Sequence, residues 1–263
     1  MYLDNDIEYE TFDGTKVQSL LTGDPDSGRA IIVIQEIWGL SNFIRSYSRR
    51  LSSLDFLVLA PHLYSRTDEK ELFKQENISN AMKLFFEVPP DKRRDAATIQ
   101  KILERASSEE REVIKRIMLD RGTLEKRMIK DLERGYEFLV KTYKPKKMGV
   151  VGFCMGGGLS FQISTKLPFD ATVIFYGANP PEIGDIANIK GPVMALYAGD
   201  DPNINSGIPD AVSAFVKYGK QIELKIYPGA RHAFFNNDGL SYNKEAADDA
   251  WERSSSFFRR YVQ

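Results

Sequence analysis

The residue pattern predicts an α/β fold, a mostly parallel, doubly wound sheet flanked by helices, built by residues 1–263 as one domain. Three observations carry this expectation. A continuous apolar run such as Ala30-Ile31-Ile32-Val33-Ile34 suits a strand buried on both faces, as parallel sheets require. After Pro145, strand-like runs at 148–153, 171–176, 193–197 and 222–227 alternate with helical segments, which is the pattern of βα units. No internal repeat or low-complexity linker divides the chain.

Taken in order, Ile7-Glu8-Tyr9-Glu10 and Val17-Gln18-Ser19-Leu20-Leu21 flank the turn signal Asp13-Gly14 and read as an antiparallel hairpin. The run at 30–34 is the first core strand. A helix over about 41–54 follows, then a second buried strand, Phe56-Leu57-Val58-Leu59-Ala60, closed by Pro61. From Asp68 to about Tyr143 no strand is expected. Pro89-Pro90 interrupts that stretch, and Asp91 can cap the helix after it. Ile99, Ile102, Leu103 and Ala106, then Val113, Ile114, Ile117 and Met118, recur at helical spacing. Ser107 with Glu110 reads as a capping box and Gly122 as a helix stop. A third helix carries Leu132, Tyr136, Leu139 and Val140 on one face. One crossover needs fewer helices than this, so residues 70–125 are a candidate lid. Asp248 to Tyr261 closes the chain as an amphipathic helix carrying Trp251, Phe257 and Phe258.

Composition narrows the function. At 42% hydrophobic and 28% charged the chain can bury an ordinary core, and its net charge of −1 offers no basic field for nucleic acid or an anionic membrane. No run approaches the roughly 20 apolar residues of a membrane span. The start, Met1-Tyr2-Leu3-Asp4-Asn5-Asp6, is too acidic for a secretion signal, and a single cysteine allows no internal disulfide. A cytoplasmic monomer or homodimer is therefore expected. Two histidines and one cysteine, far apart, do not make zinc-ligand spacing, and no glycine-rich nucleotide loop is present, so neither metal nor cofactor is expected.

Chemistry concentrates at a β-α junction. Met148-Gly149-Val150-Val151-Gly152-Phe153 runs into Cys154-Met155-Gly156-Gly157-Gly158 and then a helix. This is G-x-C-x-G, the cysteine form of the nucleophile elbow of α/β-hydrolases. The turn strains the nucleophile's backbone, so the residues two before and two after must lack side chains; Gly152 and Gly156 do. It also delivers the thiol to a helix N-terminus, where thiolate is favoured. Such a nucleophile needs a base and the base an orienting acid, in the order nucleophile, acid, histidine. His232 is the one histidine downstream, just past the last expected strand, and Asp200-Asp201-Pro202 follows the strand before it. Order alone does not separate Asp200 from Asp201, and either can be a turn residue before Pro202. Upstream, Glu36 in Gln35-Glu36-Ile37-Trp38-Gly39 ends the first core strand on the same side of the sheet; alone it would read as a surface carboxylate.

Together with Pro61-His62-Leu63-Tyr64-Ser65-Arg66 and Pro228-Gly229-Ala230-Arg231-His232-Ala233-Phe234, these segments resemble the dienelactone hydrolase (carboxymethylenebutenolidase) family over nearly the whole chain. The resemblance implies a lactone or carboxylic ester hydrolase that forms a cysteinyl thioester. It implies Cys154 as nucleophile, His232 as base and Asp201 as acid. It also implies that Glu36 contacts the resting thiol and helps generate thiolate, and that the amides of Ile37 and Met155 form the oxyanion hole. The family's arginine four residues past the histidine is replaced by Asn236, and its second carboxylate-binding arginine is replaced near Ile78, before Ala81-Met82-Lys83-Leu84-Phe85. Arg66, Arg231, Trp38 and Phe234 are the substitute substrate contacts expected from position. A general carboxylesterase, an acyltransferase and a non-catalytic binding protein are the competing readings. A glutamine amidotransferase is disfavoured, because His232-Ala233-Phe234 lacks the late His-x-Glu.

Overall fold

The computed structural model describes residues 2–89, 92–93 and 95–263. Eight strands form one sheet in the order β1-β2-β4-β3-β5-β6-β7-β8. β1 (Leu3–Glu10) and β2 (Lys16–Gly23) make the antiparallel hairpin, and β2 lies antiparallel to β4 (Leu57–Pro61). β3 (Arg29–Ile34), β5 (Lys147–Phe153), β6 (Ala171–Phe175), β7 (Val193–Asp200) and β8 (Ile222–Arg231) run parallel in register.

The apolar runs are continuous because both faces are covered. Ala30, Ile32 and Ile34 of β3 enter one apolar cluster while Ile31 and Val33 enter the other. β5 divides likewise, with Met148 and Val150 on one side and Val151 and Phe153 on the other. Helix α1 (Asn42–Ser52), capped by Ser41, joins β3 to β4 and contributes to the second cluster.

Between β4 and β5 lie α2 (Gln75–Phe86), α3 (Ala96–Arg105), α4 (Ser108–Ile114), a π turn (Lys115–Leu119) and α5 (Arg121–Tyr143). Ser107 and Glu110 form the expected capping box. Asp91 lies outside the described residues, and Asp95 caps α3 by accepting from the Thr98 amide at 2.7 Å. Gly122 does not stop a helix. It is the second residue of α5, and the break falls just before it, at Asp120 closing the π turn. Val140 faces solvent, while Leu132 and Leu139 are buried. α2 to α4 place Ile78, Met82, Ile102 and Val113 in the same apolar cluster as Ile37, Tyr64 and Met155, on one face of the sheet. Helix α6 (Met155–Ser164) joins β5 to β6, and α7 (Pro202–Asn205) and α8 (Ile208–Lys217) join β7 to β8. The closing helix α9 (Lys244–Tyr261), capped by Asn243, packs into the second cluster with α1.

Buried charges tie the segment after β4 to α5. Asp131 on α5 is fully buried and pairs with Arg66 at 3.1 Å and with Arg127 at 2.7 Å. Arg127 also reaches Glu69 at 2.6 Å and the Leu63 carbonyl at 2.7 Å. Arg66 is 3% exposed and is engaged by Asp131 and Asp13, so its expected role as a substrate contact is corrected: it is a structural cation joining the β1–β2 turn to α5. Removing one member of a buried pair leaves charge uncompensated. Arg66→Met is therefore expected to cost about 3 kcal/mol of stability, measured by urea unfolding, while KM stays at the wild-type value. Among the described residues no helix is long and apolar enough to cross a membrane.

Candidate active site

Five adjacent parallel strands end on one side of the sheet, where ligands bind in open α/β folds. β3 leads to Glu36 and Ile37, β5 to Cys154, β6 to Tyr176, β7 to Asp201 and β8 to His232.

Cys154 sits at φ 55°, ψ −114°, a conformation side chains avoid. It holds there because the surrounding backbone leaves no alternative. A Cβ on Gly152 would stand 1.8 Å from the Gly156 carbonyl oxygen, and one on Gly156 would stand 2.4 Å from the carbonyl oxygens of Ile34 and Gln35. The Cys154 amide donates to the Phe175 carbonyl at 3.1 Å, tying the turn to β6. Helix α6 begins immediately after it, so the Met155 amide is one of the first-turn N–H groups without a helical acceptor. Two further residues at the site have positive φ: Tyr176 at 42° and Ala233 at 65°.

His232 Nδ1 is in a short hydrogen bond with Asp201 Oδ2. The neighbouring aspartates separate by register. Asp200 is exposed and sits in the β7–β8 ladder opposite Arg231, whereas Asp201 lies just beyond the irregularity there and is buried. Burial works against charge on His232, but Cys154, acting by charge and hydrogen bond, and Asp201 outweigh it and push the imidazole up to about 11.

Glu36 is 1% exposed. Its carboxylate accepts from Asn236 Nδ2 at 2.7 Å and from the Tyr176 hydroxyl at 3.3 Å. Among the hydrogen bonds of the described residues the Glu36 carboxylate is held by Asn236 and Tyr176, and none joins it to the thiol. Burial raises the Glu36 carboxyl to about 7, against the opposing pull of Asn236, His232 and Tyr176. A carboxyl raised in the folded state keeps a proton the unfolded chain has released. Its cost to stability is thus absent below pH 4.5, grows as pH rises to about 7 and is constant above. Glu36→Gln removes that dependence. The stability of the variant relative to wild type is expected to rise by about 3 kcal/mol over this window, read from urea melts at both ends, and a flat difference would contradict it.

The remaining expected contacts divide. Trp38 is half-buried beside the site and meets Phe86 at the end of α2, with ring centroids 6.4 Å apart. Phe234 is corrected to a core residue, fully buried against Tyr227 and Tyr176 at 4.9 and 5.4 Å. Arg231 is exposed and donates to the Leu240 carbonyl at 3.1 Å.

Sequence reasoning misses three residues. Tyr176 ends β6 at the side where the other groups gather, which is a usable signal. Asn236 reads in sequence only as a missing arginine, not as the donor to Glu36. Arg121, the first residue of α5, pairs with Glu125; burial opposes its charge, while Glu125, Cys154 and Tyr64 favour it. Nothing in a helical pattern marks such a residue. Tyr64 itself reaches Met155 Sδ at 3.8 Å and stacks on Phe73. Among the described residues no group of three or more His, Cys, Asp or Glu side chains could hold a metal ion.

The family model described as "Dienelactone hydrolase family" matches residues 17–262. A protein of Saccharolobus solfataricus named "Putative carboxymethylenebutenolidase" is 46% identical over 258 residues, covering 98% of this chain and 99% of that one. Among solved structures, a Klebsiella pneumoniae protein titled "Putative Dienelactone Hydrolase" superposes with a TM-score of 0.71 at 22% identity, covering 99% of this chain and 100% of that one. A dienelactone hydrolase-like promiscuous phosphotriesterase from metagenomic libraries gives a TM-score of 0.67 at 17% identity, covering 100% and 99%. At such identities the structures show the shared fold alone. The family match and the 46% relative carry more: the chain belongs to the dienelactone hydrolase family and is a hydrolase of its ester-cleaving type.

Proposed function

We propose that the protein opens a lactone or carboxylic ester through a thioester on Cys154. The observation that carries this reading is the convergence of Cys154, His232 and Asp201 at the ends of three parallel strands, with His232 hydrogen-bonded to Asp201. The Cys154 sulfur attacks the carbonyl carbon, and the oxyanion that forms is met by the amides of Ile37 and Met155. Loss of one such donor typically costs about 2.7–4 kcal/mol of transition-state stabilisation. His232 gives its proton to the leaving oxygen as the C–O bond breaks. A water then loses a proton to His232 and attacks the thioester, releasing acid and free Cys154. Asp201 fixes the imidazole's tautomer and direction. Glu36 is the second acid of the site, held by Asn236 and Tyr176 beside the pair whose proton it can share.

Arg121 supports an anionic substrate. It stands at the start of α5, paired with Glu125, and Cys154 and Tyr64 favour its charge. Arg121→Met is expected to raise KM about tenfold for an ester bearing a carboxylate, with kcat unchanged and neutral esters unaffected. The reaction is tested with a panel of a dienelactone and neutral nitrophenyl esters, each with and without an acceptor alcohol. Hydrolysis unaltered by the alcohol supports the reading; product dominated by the new ester makes it an acyltransferase.

A further inference from the structure

The two edges of the sheet are built differently. On β1, Asp4, Asp6, Glu8 and Glu10 alternate onto one face and are all exposed. A second copy laid antiparallel there would set acid against acid, a common guard against edge pairing. β8 carries no such row of like charges, and Pro228 lies beyond its 222–226 stretch. It pairs with β7 on one side and has no strand on the other among the described residues. Glu223 and Lys225 face α9, where they meet Arg260 at 3.0 Å and Asp249 at 3.2 Å. Ile222, Leu224 and Ile226 alternate onto the opposite face. The apolar cluster beneath α8 takes in Ile222, but Leu224 and Ile226 are left 36% and 42% exposed.

We propose that β8 pairs antiparallel with β8 of a second copy, about a two-fold axis at Leu224, joining two sheets into one. In that register Leu224 stands opposite itself, Ile222 opposite Ile226, and Glu223 opposite Lys225, each pairing made twice as an isologous contact requires. Charge selects the register. A shift of the axis by one residue either way sets Glu223 against Glu223 or Lys225 against Lys225, which is destabilising. The correct register instead alternates the signs across the seam, from Arg260 and Glu223 of one copy to Lys225 and Asp249 of the other. Closing the seam also covers Leu224 and Ile226.

Sedimentation velocity and cysteine crosslinking test this. Wild type is expected to sediment as a dimer and Glu223→Lys as a monomer, with Glu223→Lys/Lys225→Glu restoring the dimer and thermal melts confirming that each variant folds. In a Cys154→Ala background, Leu224→Cys is expected to crosslink on mild oxidation, since directly opposed residues lie within disulfide reach. Ile226→Cys alone should not crosslink, but should do so when mixed with Ile222→Cys. A monomeric wild type overturns the proposal, and so does a dimer in which Leu224→Cys fails to crosslink.

Discussion

Replacing Cys154 with alanine is expected to lower kcat/KM by about 10⁴-fold or more. The magnitude follows from what the variant loses and keeps. It loses the atom that would bond to the carbonyl carbon, so the reaction can no longer be divided into acylation and deacylation. It keeps the amides of Ile37 and Met155, and with them the residual acceleration that positioning and oxyanion stabilisation provide without a nucleophile. The fold should be unaffected, because Cys154 is only partly buried and holds its place through backbone hydrogen bonds to β6 and α6. Initial rates on a nitrophenyl ester, at matched thermal stability, measure the effect. A loss of less than tenfold would mean that another group attacks the carbonyl.

The second large effect falls on stability. Gly152→Ala would drive a methyl group to 1.8 Å from the Gly156 carbonyl oxygen and 2.2 Å from its carbon. Neither atom can yield, since Gly156 is itself pressed against the backbone at the end of β3. The expected cost is about 4 kcal/mol or more, seen as a fall in the urea midpoint or as insoluble protein. Gly14→Ala is the matched control. That turn glycine has φ 82° but nothing within 4 Å of the place a methyl would take, so its cost should be the backbone penalty of about 1–2 kcal/mol alone. Equal costs at the two positions would remove the steric account of the elbow.

What can be read from sequence follows the physics of burial. β3, β5, β6 and β7 are apolar throughout most of their length because both their faces are covered, and such runs are visible in a string of letters. β8 is legible only as far as Tyr227, since an edge strand carries polar residues and its last part includes Pro228 and Gly229. The elbow is legible because its glycines lie at a fixed spacing around Cys154. Arg66 is misread from sequence because its partner, Asp131, lies 65 residues away on another element. A charge in a sequence does not show whether it faces a carboxylate or a substrate. Phe234 fails for a like reason, since its letter does not show that the ring turns into the core. Glu36 illustrates the limit most sharply. Its position after β3 is readable, but the two donors that hold it come from residues 140 and 200 positions away.

The measurement that tests the central proposal most directly is intact-protein mass spectrometry on enzyme quenched during turnover of a slowly hydrolysed nitrophenyl ester. An acyl thioester predicts a mass increase equal to the acyl group, mapped to the peptide containing Cys154, released by hydroxylamine and accompanied by a burst of nitrophenol. Turnover without burst or adduct, continuing in Cys154→Ala, would contradict it.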